Sequence, residues 1–193
     1  MARSIEFLIF PGFQLLDAAG PISAFEAAGR INPAFPAQSS AYRLRAIARD
    51  PGPVTSSSGA QMVAERFADG PLDTLIVAGG WGTRDASACP DTLDYIRTAA
   101  SRARRVASVC SGAFILAAAG LLDGRRATTH WSRAAEFACA YPQIRVEPDR
   151  IFIRDGAVWT SAGITAGIDL ALALVADDLG EAVAKRTAQH LVV

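Results

Sequence analysis

Val106-Ala107-Ser108-Val109-Cys110-Ser111-Gly112-Ala113 is the stretch that decides how the rest of this chain folds. An apolar run delivers a cysteine to a point with small residues two positions away on either side, Ser108 before it and Gly112 after it. Strained strand-to-helix elbows need small residues there, because larger side chains collide with the turning backbone. The spacing predicts a strand over Arg105 to Val109, a nucleophile elbow at Cys110, and a helix over Gly112 to Ala119 that stops at Gly120. The helix start aims N–H groups at the sulfur, which is expected to stabilise thiolate and lower the thiol pKa. A buried, inert cysteine fits the same residues.

Outward from this stretch, strand-like and helix-like runs alternate. Ile5 to Phe10 and Thr74 to Ala78 are nearly continuous apolar runs, as in strands buried on both faces. Tyr42 to Ala48 alternates and suits a strand, and Asp50-Pro51-Gly52-Pro53 reads as a turn. Arg126 to Thr129 reads as a short strand. Arg150 to Arg154 and Ala157 to Ser161 flank Asp155-Gly156, a strong hairpin signal. Helices are expected over Pro21 to Ala28 with proline in the first turn, over Asp91 to Ala103, and from a Ser132 cap to Ala140. Two more are expected, a buried one over Ile164 to Ala176 and another from Leu179 to Leu191. Arg30 to Ala41, with two prolines and two serines, reads as an exposed loop. Strand–helix alternation implies an α/β domain with a mostly parallel sheet and helices on both faces.

At 193 residues the chain has the length of one domain, and 51% hydrophobic residues supply an ordinary core. Nineteen basic and nineteen acidic residues cancel, so no basic surface argues for nucleic acid or an anionic membrane as a partner of this segment. The apolar run after Met1 is cut short by Pro11-Gly12, too early for a signal peptide, and no run reaches the length of a membrane span. A cytoplasmic location is therefore expected. Cys89, Cys110 and Cys139 form no CxxC pair, so neither a disulfide framework nor a metal site is expected. The chain ends on His190-Leu191-Val192-Val193 within a helical pattern, which suggests a segment of something longer; a docked terminal helix would end the same way.

A nucleophile needs partners. Asp17, Gly79-Gly80, Cys110 and His130 each follow a predicted strand, and in an α/β sheet the loops after strand C-termini converge on one crevice. Asp17 and His130 are thus the candidates to act with Cys110, while Gly80 and Ser111 are candidate N–H donors to an oxyanion. Plainer roles fit too: Asp17 as a helix cap, His130 as a packed imidazole. Cys89, beside Pro90, and Cys139, in a helix, have no such context.

Taken together, these motifs resemble the DJ-1/PfpI superfamily, the class I glutamine amidotransferase-like fold. The resemblance rests on Ile9-Phe10-Pro11-Gly12, Leu16-Asp17-Ala18-Ala19-Gly20-Pro21, Asp73 to Gly80, Ser108 to Ala113, Ala127-Thr128-Thr129-His130-Trp131 and Ser161 to Asp169, and covers nearly the whole chain. It implies one flavodoxin-like three-layer sandwich over 1–193, a homodimer, no cofactor, and a ligand or oxyanion set of Gly79, Gly80, Ser111, Gly112 and Thr165. Two branches look most similar. In the N-terminal domain of AraC-type transcription regulators, the pocket would hold a small-molecule effector, and DNA would be met only through a C-terminal helix-turn-helix domain outside this sequence. Tyr42 to Gly59 and Ala184 to Val193 look like that branch. In isocyanide hydratases, the cysteine attacks the isocyanide carbon and the aspartate handles protons as water adds, giving an N-substituted formamide. Protease-like members place histidine directly after the nucleophile, where this chain has Ser111. Oxidation sensing at a Cys110 thiolate is a third possibility.

Overall fold

Strands and helices alternate along residues 2–31 and 40–193, the part of the chain described by the computed structural model. In chain order they are β1 (Arg3–Leu8), α1 (Leu15–Ile31), β2 (Tyr42–Ala48), β3 (Gly52–Thr55), β4 (Gln61–Arg66), β5 (Thr74–Val77), α2 (Thr83–Ala88), α3 (Pro90–Arg102), β6 (Arg105–Val109) and α4 (Gly112–Ala118). Then follow β7 (Arg126–Ala127), a 3-10 turn (Trp131–Arg133), α5 (Ala134–Ala140), β8 (Arg145–Val146), β9 (Phe152–Asp155), β10 (Val158–Ser161), α6 (Ala166–Leu179) and α7 (Glu181–Leu191). Eight strands form one sheet in the order β3-β4-β2-β1-β5-β6-β10-β9, parallel except for its two edge pairs, β3 with β4 and β10 with β9. The fold is the expected α/β sandwich.

Period-2 alternation sorts the core. Ile5 and Phe7 of β1 and Ile76 of β5 face α1, α6 and α7, where Phe25 packs edge-on to both Phe7 and Tyr42. Leu8, Leu75, Val77 and Val106 face α2 to α5, where Ile96, Phe114 and Phe137 are buried. Each such fully buried side chain contributes about 1.5–3 kcal/mol. Two buried charges pin the frame. Glu6 is held by the Tyr95 hydroxyl and Arg45, and Arg105 Nη2 donates to Asp178 Oδ2 at 2.6 Å, tying the end of α6 to the start of β6.

Several expectations need correction. The first strand is Arg3–Leu8, shifted toward the N-terminus. The first helix begins at Leu15, six residues before Pro21, which lies in its interior. The carboxylate of Asp17 accepts two backbone N–H groups from other segments, which anchors this early first turn. Gly52-Pro53 opens β3 rather than completing a turn, and β4, α2 and β8 were not anticipated. Arg126 to Thr129 does not extend the main sheet: only Arg126 and Ala127 are a strand, paired with β8 in a separate two-stranded sheet. His130, not Ser132, caps the helical segment that follows, its side chain accepting from the Ser132 N–H. The apolar helix near the C-terminus starts at Ala166, ends at Leu179 and leaves Asp169 exposed. The loop expected over Arg30 to Ala41 falls mostly on 32–39, outside the described residues; Arg30 and Ile31 still belong to α1.

Candidate functional site

The C-terminal ends of β1, β5, β6 and β10 lie side by side, with Leu8 opposite Val77, Val77 opposite Ser108, and Ser161 opposite Val109. Strand order reverses at β1, the position at which open α/β sheets form their crevice. Cys110 follows β6 with φ +57°, a left-handed conformation that costs a non-glycine residue about 1–3 kcal/mol. The sequence explains how it is sustained. A Cβ on Gly112 would lie 2.4 Å from the Val77 carbonyl oxygen, so only glycine lets α4 leave the sheet so tightly. The Cys110 N–H donates to the Ser161 carbonyl (3.1 Å), and its own carbonyl accepts from the Thr129 hydroxyl (3.0 Å).

Asp17, fully buried in the first turn of α1, closes the crevice from the other side. The Gly79 N–H donates to its Oδ2 and the Ile164 N–H to its Oδ1, both at 3.0 Å. Burial raises its pKa and those two bonds lower it; burial wins, leaving the carboxyl at about 6. Cys110 behaves oppositely to expectation. Burial first, and then the Asp17 carboxylate, push its thiol up to about 12, against the N–H and hydroxyl of Ser111. The helix start is outweighed, and burial favours the neutral thiol.

A cleft of about 610 Å³ opens above this floor. Gln14, Trp81, Arg84, Cys110, His130 and Ile164 are among the residues lining it. His130 is brought to the cleft, but its Nδ1 lies 2.8 Å from the Ser132 hydroxyl, and among the described residues no hydrogen bond links it to Cys110. The Gly80 N–H, an expected oxyanion donor, donates instead to Ser111 Oγ (2.9 Å), which also shares a 2.8 Å hydrogen bond with the Thr83 hydroxyl. Among the other residues singled out, Gly80 and Ser111 line the cleft, Gly79 and Gly112 are buried beneath it, and Thr165 is exposed at the start of α6 outside the lining. Among the described residues no three His, Cys, Asp or Glu side chains gather to hold a metal ion, and no helix is long and apolar enough to cross a membrane.

A family model described as "DJ-1/PfpI family" matches residues 3–177. The chain belongs to the DJ-1/PfpI family. Among its relatives, isonitrile hydratase of Pseudomonas putida is 40% identical over 184 residues, 93% of this chain and 74% of the hydratase. The HTH-type transcriptional regulator CdhR of Pseudomonas aeruginosa is 32% identical over all of this chain and 56% of its own length, so the chain spans about half of that regulator. A crystal structure of a ThiJ/PfpI family protein from Pseudomonas syringae superposes with a TM-score of 0.85 at 30% identity, over 98% of this chain and 74% of that one.

Sequence reasoning passed over several residues of this DJ-1/PfpI site. Gly163, with φ +97°, brings its backbone so close that an added Cβ would lie 2.2 Å from Cys110 Cβ. Ile164 adopts φ +52°, rare for a β-branched side chain, while its N–H reaches Asp17. Gly163 was legible within Ser161-Ala162-Gly163, a glycine two residues after the end of a predicted strand. Thr83, Trp81 and Arg84 follow Gly79-Gly80 but carry no spacing signal of their own.

Proposed function

We propose that this domain is the ligand-sensing and dimerising part of an AraC-type transcriptional regulator, with a small-molecule effector seated in the cleft over Cys110. The observation that carries this reading is the arrangement of groups around the thiol. Burial favours its neutral form, among the described residues no imidazole is hydrogen-bonded to it, and the imidazole in the cleft is engaged by Ser132. Nucleophilic catalysis by cysteine needs a thiolate or a base positioned to make one, and beside this thiol that part falls to the Asp17 carboxyl rather than to an imidazole. A pocket floor needs neither. The similarity to a helix-turn-helix regulator over the full length of this chain supports the same reading. The test is the coding sequence beyond Val193. A continuation encoding a helix-turn-helix pair is expected, and a stop codon there overturns the proposal.

One observation favours a second reading, isonitrile hydration. Asp17 sits beside the thiol with a pKa near 6, suited to trading a proton around neutral pH, and the hydratase relative is 40% identical. In that reaction Cys110 sulfur bonds to the isonitrile carbon, a proton reaches that carbon by way of Asp17, and water displaces the thiol to leave the N-substituted formamide. The assay is formamide formation from cyclohexyl isocyanide. Equal rates for the protein and its Cys110→Ala variant remove this reading.

A further inference from the structure

Arg84 lines the cleft from the first turn of α2, is exposed, and has no hydrogen-bond or ion-pair partner among the described residues. The other arginine of the lining differs. Arg133 donates from Nε and Nη2 to the two oxygens of Glu136 at 2.9 and 2.7 Å, and its guanidinium lies 4.0 Å from the Phe114 ring centroid. Glu136 is thereby spent on Arg133, and its carboxyl is held below its ordinary value by Arg133 first and then by the more distant Arg84. The wall thus carries one neutralised pair and one open guanidinium fork. Two other large cavities among the described residues, of about 560 and 440 Å³, offer no such cation: Arg3, Arg102 and Arg104 of the first are paired with Asp178, Asp69 and Asp73, and Arg49 of the second is held by Asp50 through Nε and Nη2.

Two of the chain's three tryptophans border the same cleft and are left in water. Trp81, 90% exposed, is part of the lining, and Trp131, 74% exposed, leans on His130 with ring centroids 5.7 Å apart. Large aromatic surface kept exposed beside a pocket is suited to a flat or apolar body. The cleft volume is within the usual range for small-molecule sites.

From these residues we infer that the effector is a small monocarboxylate with an apolar body, its carboxylate gripped by Arg84 and its body lying along Trp81 toward Cys110. The inference rests on the reading of the cleft as a ligand pocket. A guanidinium meets a carboxylate with two parallel N–H bonds, a match in charge and geometry. A dianion is disfavoured, because the second negative charge would find no further free cation in the lining, Arg133 being held by Glu136.

The test is calorimetric titration of the intact chain with phenylacetate, phenylacetamide and phenyl phosphate, three probes that share a ring and differ in charge. Phenylacetate is expected to bind, to bind less tightly as salt rises, and to lose about 10- to 100-fold in affinity with Arg84→Gln, the span of a charge-assisted pair. Phenylacetamide is expected to bind weakly and equally to both proteins. Phenyl phosphate is expected to bind only once Glu136→Gln releases the Arg133 guanidinium as a second cation. Phenylacetate binding unchanged by Arg84→Gln, or amide binding as tight as the acid, overturns the carboxylate inference and leaves the ligand pocket standing. If none of the three probes binds, the carboxylate inference falls, and the pocket reading is decided separately by the coding sequence beyond Val193.

Discussion

Cys110 and Cys89 both stand just before a helix, the first before α4 and the second as the N-cap of α3. From sequence, the helix start was expected to lower the pKa of Cys110, and Cys89 had no such context. Their environments reverse that ranking. Cys110 is 8% exposed beside a carboxylate, and its thiol is pushed up to about 12. Cys89 is half-buried. Burial works against its thiolate too, but the Thr92 hydroxyl and N–H and the Arg49 guanidinium, 3.5 Å from the sulfur, outweigh it and hold the thiol below its ordinary value. A helix N-terminus supplies only fractional charge, so desolvation and one full neighbouring charge decide the outcome.

The comparison can be broken in order of effect. Gly163→Ala should act most strongly, since it forces a Cβ to within 2.2 Å of Cys110 Cβ at a glycine with φ +97°. A loss of about 3–5 kcal/mol is expected in urea unfolding. A loss under about 1 kcal/mol would mean that the elbow is not locked in place and that Cys110 owes little to its burial.

Asp17→Asn comes next. The carboxyl ionises near 3.8 in the unfolded chain and near 6 in the folded one, so the folded state holds this proton more tightly. Its contribution is therefore most favourable below about pH 4 and is lost as pH rises through 6, by about 3 kcal/mol in all. The stability of Asp17→Asn relative to the parent should rise by most of that amount between about pH 4 and pH 7. A difference that stays flat with pH contradicts the assigned burial cost.

Alkylation by iodoacetamide at about pH 8, followed by peptide mass spectrometry, reads the contrast directly. Cys89 should be modified about a hundredfold faster than Cys110, because only the thiolate reacts. Faster labelling of Cys110 would reverse the comparison. The smallest effect is expected from Arg49→Gln, which removes one of several groups facing the Cys89 sulfur. It should slow Cys89 labelling about threefold and leave Cys110 unchanged; equal slowing at both would indicate a global change rather than a lost cation.

Local signals located the elbow because its requirements are local. Ser108, Cys110 and Gly112 lie within five residues, and the clash that excludes a larger side chain is with the adjoining strand end. The parallel strands were readable from apolar runs, and the hairpin signalled by Asp155-Gly156 is present one residue later than expected, with Asp155 paired to Val158 and Gly156-Ala157 as the turn. What escaped was decided across the sheet. The early start of α1 depends on N–H groups 62 and 147 residues away from Asp17. The place of His130 depends on β7 pairing with β8 rather than with the main sheet, and two residues are too few to announce a partner. The state of Cys110 depends on Asp17, whose charge is far off in sequence and close in space.

The two margins of the main sheet carry a consequence of another kind. Both edge strands are only four residues long. At one margin Pro53 withholds a backbone donor. At the other, Arg154 covers the Trp159 ring at 4.8 Å and Asp155 is tied to Arg125 and Arg126. Short, proline-bearing or charged margins are poor templates for strand addition. Both margins of this eight-stranded sheet are therefore protected against the pairing of a further strand.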